Sequence, residues 1–404
     1  MTQAVSVRAI RPAESRLIAA VCGAHMMSHY YMLLLAPLFV FVRADFKVSY
    51  TELALALTVF NVVSGIFQTP VGFLVDRVGA RMVLIAGLAL SSIAYAIAGI
   101  VDSYWVFIAM YAVGGLGNTV FHPSDYSLLA HYSPKERVGQ MFAYHTFAGM
   151  VGGGIAPATL LFMQSYFGWR GAYVGASILG LIVLLALISQ PEPKAEGHPG
   201  KPPAAARGST ADTWRVLLTL PILLNLGYFI LTSIMGGGLN TYLVVALGAL
   251  HSTSVDVANM ALTSLLAMNA LGVLAGGVLA ARTSRHAFVA ASGLAIGGMV
   301  TALVGLFNFP AAGLILLMGA SGFCVGATYP SRDMLVRAVT PMGAYGLVFG
   351  FVSVGYNIGA SVAPIVYGAL MDNGEPRAVF LLSAAVSIAC ISTVTFGFSK
   401  RQTV

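Results

Sequence analysis

The sequence has little charge: Asp, Glu, Lys and Arg together make up 9% of its 404 residues, against roughly 25% in soluble domains. So few charged side chains cannot cover a soluble surface, which excludes a soluble enzyme and a disordered chain. Cysteine is also scarce, and Cys22, Cys324 and Cys390 all lie inside apolar stretches. This placement is typical of packed thiols, so we expect no disulfide and no metal site. We also expect no cofactor.

Apolar residues, in contrast, make up 58% of the chain, and the mean hydropathy is +0.85. A transmembrane helix needs roughly 20 mostly apolar residues. The sequence therefore predicts an all-α membrane protein with twelve transmembrane helices. The candidate spans lie near 17–42, 51–72, 82–101, 105–131, 138–163, 171–190, 215–243, 254–280, 287–307, 311–337, 343–369 and 377–398.

One long polar stretch divides these spans into six and six. It runs from Ser189 to Trp214 and is rich in proline, lysine, glutamate and glycine, a composition typical of a flexible linker. We expect an N-terminal six-helix bundle over 1–189, a cytoplasmic linker over 190–214 and a C-terminal bundle over 215–404. With the N-terminus inside, sixteen of the 21 Lys and Arg fall on the cytoplasmic side, which predicts that both termini are cytoplasmic.

The two halves also resemble each other in sequence. A shift of 207 residues, without a gap, aligns identical residues at ten positions between 115 and 157, among them Pro123 with Pro330 and Pro157 with Pro364. A duplicated six-helix unit predicts two pseudo-symmetric bundles, with a site near the middle of the membrane and an alternating-access mechanism.

The loop after the second span contains Gly72, Asp76, Arg77, Gly79 and Arg81. This pattern resembles the signature of the major facilitator superfamily, which lies between helices two and three. The resemblance implies the superfamily fold and gives these five residues a gating role. In the superfamily the acid contacts the N-terminal end of helix eleven and stabilises the outward-open state.

Within the superfamily, the chain resembles the fosmidomycin-resistance group of bacterial exporters. The similar pieces are His25 in helix one, the segment 68–72, Phe121-His122-Pro123 in helix four and the segment 134–139. The resemblance implies a multi-pass protein of the bacterial inner membrane that exports a small organic compound by proton-coupled antiport.

Charged residues inside the spans are the strongest candidates for a site, because an ionised side chain at mid-bilayer costs ~2.5–3.5 kcal/mol on insertion scales. Asp125 lies on one face of helix four together with Asn118 and His122, and the 207-residue shift aligns it with Arg332, which is followed by Asp333. One hypothesis is an Asp125–Arg332 bridge that closes a gate.

Two alternatives to this bridge stay open. Asp125 could pair within its own half, with Arg77 or Arg81 of the signature loop. Arg332 could pair only with Asp333, or could extend its side chain to the membrane interface.

Helix one contributes His25 and His29, one turn apart on the same face. Histidine titrates near physiological pH, which suits proton coupling or anion binding. The alternatives are neutral histidines bonded to helix five or to water, and a metal site, which we do not expect because no carboxylate or thiol completes a ligand set. His145 in helix five, and Tyr356 and Asn357 in helix eleven, are further candidates.

These observations predict a transporter rather than an enzyme. The first hypothesis is proton-coupled export of a small organic compound, and the alternative is proton-coupled uptake or exchange of a small organic anion, favoured by Arg332 and the histidines. A sensor built on the same fold and a channel are less favoured. We expect the partners to be a small-molecule substrate, protons and the lipid bilayer, with no nucleic acid, and we expect a monomer.

Overall fold

The computed structural model describes residues 12–133, 138–190, 217–341 and 345–398, and these ranges are helical without any strand. The predicted linker lies outside the described residues from position 191 onward. The helices are α1 (Pro12–Met32), α2 (Phe39–Phe46), α3 (Tyr50–Val78), α4 (Ala80–Ile100), α5 (Tyr104–Asn118), α6 (Phe121–Tyr132), α7 (Val138–Ser189), α8 (Leu220–His251), α9 (Val255–Arg282), α10 (His286–Leu306), α11 (Ala311–Val339), α12 (Tyr345–Asp372) and α13 (Pro376–Phe398).

Eleven helical segments within the described ranges are long and apolar enough to cross a membrane. One of them, Met141–Ser189, contains a break at Gly168, whose φ of 67° is left-handed, a conformation that glycine adopts without strain. The break divides α7 into two spans, which brings the number to the predicted twelve. Two other spans are composite, because α1 and α2 share the span Pro12–Phe46 and α5 and α6 share the span Tyr104–Leu129.

The helix boundaries repeat at the spacing of the sequence duplication. The first residues of α5 and α11 are 104 and 311, and the last residues of α6 and α11 are 132 and 339. The first residues of α7 and α12 are 138 and 345. Each of these pairs is 207 residues apart, the same shift that aligns the ten identities. The repeat is therefore one of helical structure as well as of sequence.

Side chains at several helix ends satisfy backbone groups that have no partner within the helix. At the start of α3, the Ser49 amide donates to Glu52 Oε2 at 2.7 Å and the Glu52 amide donates to Ser49 Oγ at 3.1 Å. This reciprocal pair is a capping box, in which the serine and the glutamate are three residues apart. Ser103 and Ser254 accept from the backbone in the first turns of α5 and α9.

The described residues form two compact units. The first contains 12–34, 63–156 and 162–190, and the second contains 35–62, 157–161 and 217–398. The two units therefore do not divide at one point in the chain, since 35–62 and 157–161 group with the second unit.

Within the second unit, glycines bring α9 and α11 into backbone contact. A Cβ at Gly322 or Gly326 would lie 2.1 Å from a backbone oxygen of α9, and a Cβ at Gly272 or Gly276 would lie 2.2 or 2.4 Å from one of α11. Both helices therefore carry the small-residue spacing that allows close packing in membranes.

We expect Gly276→Ala to lower the thermal unfolding midpoint of the detergent-solubilised protein, because its new methyl group would meet the Ala327 carbonyl. Overpacking of this kind costs about 1–3 kcal/mol. The neighbouring Gly277→Ala is the matched control, since a Cβ there has nothing within 4 Å. Equal midpoints for the two variants would contradict close backbone packing as the role of Gly276.

Candidate functional site

Three buried polar side chains converge inside the first unit, each from a different helix. They are His25 of α1, Asp125 of α6 and His145 of α7, with exposed fractions of 3%, 0% and 1%. His145 Nε2 lies 2.9 Å from Asp125 Oδ2, within hydrogen-bond distance, and His25 Nδ1 lies 3.3 Å from the same oxygen. One buried carboxylate oxygen therefore contacts two imidazoles.

Two more histidines extend this group. The ring of His25 stacks on His145 at a centroid distance of 3.6 Å, and the rings of His29 and His122 lie 4.8 and 5.3 Å from it. We call His25, His29, His122, Asp125 and His145 the histidine–aspartate cluster. Sequence reasoning listed all five but did not bring them together, because they lie on three helices.

Helical spacing and one glycine position the cluster. His25 and His29 are four residues apart and His122 and Asp125 are three apart, so each pair shares one helix face. Gly149 of α7 lies against the α1 pair: a Cβ there would be 2.8 Å from His25 Nε2 and 2.9 Å from His29 Cδ2. The absence of a side chain at Gly149 therefore leaves room for both rings.

The cluster leads from the buried carboxylate to an accessible side chain. His122 is exposed, and so is the neighbouring Tyr126, at 40%. The Tyr126 ring lies 5.2 Å from that of His145 and 5.9 Å from that of His122, centroid to centroid. Polar groups thus connect Asp125 with the accessible surface, as exchange of a proton or another cation requires.

Asp125 also retains unused hydrogen-bonding capacity. Among the described residues, neither its Oδ1 nor His145 Nδ1 has a hydrogen-bond partner, and both atoms are buried. Because an isolated ionised carboxylate is very costly to bury, its charge must be compensated by a bound cation or removed by protonation. The two adjacent imidazoles offer a place for a proton.

A second polar group lies in the second unit, around Arg332 of α11. The guanidinium donates from Nε and Nη2 to Asp333 Oδ1 at 2.9 and 2.8 Å, and from Nη1 to the Tyr356 hydroxyl. The rings of Phe229 and Tyr329 lie 4.4 and 4.9 Å from its central carbon. The charge is therefore buried among aromatic rings, which stabilise a cation through their π faces.

A cavity of about 80 Å³ opens beside this group within the second unit. Its polar lining comes from amides and hydroxyls of four helices, and the Tyr329 ring belongs both to this lining and to the surroundings of Arg332. On α11 the cavity residues Gly322, Val325 and Tyr329 share one face with Arg332, at helical spacing. The polar lining residues are Asn240, Asn269, Thr301, Ser321 and Tyr329.

Both charges of the hypothetical bridge have partners within their own unit. Asp125 contacts histidines and Arg332 contacts Asp333 and Tyr356, so the Asp125–Arg332 bridge stays a prediction. The expectation that no carboxylate completes a ligand set with the helix-one histidines is wrong, because α6 places Asp125 next to His25. Sequence spacing does not reveal this contact between residues 100 positions apart.

Arg81 of the signature loop bonds to the end of α7 instead of to Asp125. Its Nη2 donates to the carbonyls of Leu187 and Ile188 at 3.1 and 3.0 Å, and to that of Gln190. A cation at these free carbonyls stabilises the negative end of the helix. Arg81 therefore fastens α4 to the end of α7.

The other signature residues lie at the junction of α3 and α4. Gly79 has a φ of 100° and separates the two helices, Arg77 is exposed, and Gly72 has open space where a Cβ would be. The side chain of Asp76 lies outside the described part of the structure.

The remaining candidates have ordinary surroundings. Asn118 donates to Ser64 Oγ at 3.0 Å within the first unit, and Asn357 is partly buried on α12, where its carbonyl accepts from the Ser361 hydroxyl. Neither contact points to a ligand.

Sequence reasoning missed a contact made by Asp372 at the end of α12. Its two carboxylate oxygens accept from the Tyr50 and Thr51 amides at 2.7 and 2.8 Å, at the N-terminus of α3, and the Arg43 guanidinium lies 4.0 Å from the Tyr50 ring centre. A carboxylate at this position accepts hydrogen bonds from the free amides and interacts favourably with the positive end of the helix dipole. An acid just after the last apolar residue of a span is the only sequence signal.

Two further bonds join α3 and α12 along their length. Thr58 donates to the Ser361 carbonyl at 3.0 Å and Asn61 donates to that of Ala360 at 3.2 Å. Together with Asp372 they form a row of contacts that runs from the start of α3 toward its middle. We call this row the α3–α12 contact.

The chain is similar to a known superfamily of membrane proteins. The family profile described as Major Facilitator Superfamily matches residues 21–253 and 230–403. The probable L-galactonate transporter of Escherichia coli (strain K12) is 27% identical over 144 residues, which cover 36% of this chain and 32% of that protein. The fosmidomycin resistance protein of the same strain is 20% identical over 94% of this chain and 92% of its own.

A solved structure shares the fold. It is the inward-facing, occupied form of a bacterial homologue of the human lysosomal transporter Spinster, with a TM-score of 0.81, 14% sequence identity, and coverage of 97% of this chain and 98% of that chain. The predicted all-α fold with twelve transmembrane helices in two six-helix halves is thereby confirmed.

We expect Asp372→Ala to loosen the α3–α12 contact, because it removes both amide acceptors and the charge at the helix terminus. With all three native cysteines changed to alanine and a reporter cysteine at Ser361, labelling by a membrane-impermeant maleimide should become about two- to fivefold faster, since a charge at a helix terminus contributes ~0.3–1 kcal/mol. Glu375→Ala, an exposed acid three residues on, is the control. Equal labelling rates in the two variants would contradict the assigned role.

Proposed function

Because the chain belongs to the Major Facilitator Superfamily, we propose that it is a secondary active transporter that exports a small organic compound in exchange for protons, by alternating access. The observation that carries this proposal is the fully buried Asp125 carboxylate between His25 and His145. The cluster lies within one unit and connects to the exposed His122, as a site that is loaded and unloaded with protons requires.

Proton exchange at this cluster follows from its charges. A carboxylate with one protonated imidazole is neutral overall, and removal of that proton leaves a buried negative charge, which is costly in an apolar medium. The second histidine allows the proton to move between partners without leaving the cluster. Protonation therefore changes the stability of the arrangement that joins α1, α6 and α7, and so provides a means of coupling protons to conformational change.

Export is proposed as the direction because the match to the fosmidomycin resistance protein covers 94% of this chain, whereas the match to the probable L-galactonate transporter covers 36%. We place the protein in the inner membrane of a bacterium with both termini in the cytoplasm, which the distribution of Lys and Arg supports. We also propose a monomer.

Proton-coupled uptake or exchange of a small organic anion is the second candidate, and Arg332 is the observation that favours it. This buried cation lies against the Tyr329 ring, which also lines a cavity in the second unit that contains amide and hydroxyl groups. One relative is named a probable L-galactonate transporter, and galactonate is a carboxylate with several hydroxyl groups. A guanidinium beside amides and hydroxyls matches that chemistry.

The sign of an imposed pH gradient distinguishes the two candidates. Protein reconstituted in liposomes is offered radiolabelled fosmidomycin or L-galactonate in the presence of EDTA. Accumulation driven by an acidic interior indicates proton antiport and supports export, whereas accumulation driven by an acidic exterior indicates symport and supports anion uptake. Accumulation of either probe that is equal with and without a gradient would contradict proton coupling.

We expect Asp125→Asn to abolish gradient-driven accumulation while exchange of labelled for unlabelled probe continues, because an amide cannot take up the proton but occupies the same volume. Asp102→Asn is the control: this acid lies in the same unit, is 94% exposed and pairs with Arg170. Gradient-driven accumulation that persists in Asp125→Asn would contradict the assignment of the proton site.

If the anion candidate holds, Arg332→Gln should lower kcat/KM for L-galactonate by about tenfold or more, since hydrogen bonds to charged groups contribute about 1.5–3 kcal/mol. Arg337→Gln, an exposed arginine five residues on in α11, should leave kcat/KM unchanged. Equal losses in both variants would indicate a general charge effect rather than an anion contact.

A further inference from the structure

The histidine–aspartate cluster also has the composition of a transition-metal site. One ligand atom each from His25, Asp125 and His145 lies within 4.8 Å of the other two, and all three residues are buried. Two imidazole nitrogens and one carboxylate oxygen form a set that zinc and related first-row ions bind in proteins. The three donors lie on α1, α6 and α7, so the helix packing alone brings them together.

The separations are close to those that an ion needs. Tetrahedral Zn²⁺ with bonds of about 2.0–2.2 Å places its ligand atoms roughly 3.3–3.6 Å apart. His25 Nδ1 and Asp125 Oδ2 are 3.3 Å apart, and His145 Nε2 and the same oxygen are 2.9 Å apart. An ion would lengthen the second separation by a few tenths of an ångström. It would also tilt apart the stacked rings, which now lie at 22° to each other, so that each lone pair points at the ion.

The cluster has further donors at hand. His29 and His122 have their ring centroids 4.8 and 5.3 Å from that of His25, so two further imidazoles lie near the three donors. His122 is exposed, which provides an entry path for an ion from outside the cluster.

The buried atoms without partners support the same reading. Among the described residues, His25 Nδ1, one of the three donor atoms, is buried and has no hydrogen-bond partner, and leaving a buried polar atom unsatisfied is costly. A divalent ion between the donors would accept the lone pair of this nitrogen.

We propose that His25, Asp125 and His145 bind one divalent first-row transition-metal ion, of the Zn²⁺ and Co²⁺ class, at the centre of the first unit. This proposal goes beyond the proposed function and does not depend on it, because it concerns binding alone. If both hold, the ion occupies the proton site and cross-links three helices, so that Zn²⁺ inhibits proton-coupled transport.

The test is titration with CoCl₂ of the full-length protein, purified without a polyhistidine tag and treated with EDTA. Binding of one equivalent with the visible absorption of four-coordinate Co²⁺, lost on addition of Zn²⁺, supports the proposal. X-ray absorption on the Zn²⁺ form should show at least two imidazole ligands. Absence of one-equivalent binding to the parent protein, or a spectrum of the hydrated ion, would overturn the proposal without reference to any variant.

Variants then locate the site. Asp125→Asn and His145→Gln should each weaken Co²⁺ binding at least tenfold, whereas His131→Ala, which removes an exposed histidine of the same helix as Asp125, should not. Undiminished Co²⁺ binding in the first two variants would overturn the proposal, whatever the third variant shows. Size-exclusion profiles and thermal midpoints check that each variant is folded.

The outcome is independent of the transport assays, which contain EDTA. Proton coupling without Co²⁺ binding would overturn the metal site and leave the proposed function standing. Co²⁺ binding without proton coupling would overturn the proposed function and leave the metal site standing. If both hold, Zn²⁺ should inhibit gradient-driven accumulation by the parent protein, and EDTA should reverse the inhibition.

Discussion

A carboxylate in the interior of a membrane protein must have its charge compensated, and this constraint organises the first unit. Asp125 is fully buried, and the polar groups nearest to its carboxylate are imidazoles on α1 and α7. The contact joins three helices at one point. In the proposals above, a proton or a metal ion at this point is what changes the packing of α1, α6 and α7.

Glycine determines how closely the helices around these polar groups approach each other. Gly149 leaves space for His25 and His29 in the first unit, and the paired glycines of α9 and α11 bring two backbones together in the second. In a bilayer no hydrophobic force drives one helix toward another, so close packing and polar contacts supply the association. The glycines and the few buried charges thus serve the same purpose, since both hold helices together.

The twelve spans, the duplication and the signature loop were predictable, because hydropathy, repeat spacing and charged loop residues are local properties of the sequence. The five residues of the cluster were also identified individually, since polar side chains stand out in apolar helices. Their association could not be predicted, because His25, Asp125 and His145 lie on separate helices. Helical periodicity shows which residues share a face but not which other helix packs against that face. Asp372 was missed for the same reason, because its partners are backbone amides more than 300 residues away. Nearly every residue has a backbone amide, so no sequence pattern marks these partners.

The proposed transport requires the histidine–aspartate cluster to take up and release a proton. Infrared difference spectroscopy of the EDTA-treated protein between acidic and alkaline pH detects this step, because carboxyl and imidazole groups have separate bands that change with protonation. We expect cluster bands in the parent protein that are absent in Asp125→Asn and altered in His145→Gln. Identical difference spectra for the parent and both variants would show that the cluster does not exchange a proton.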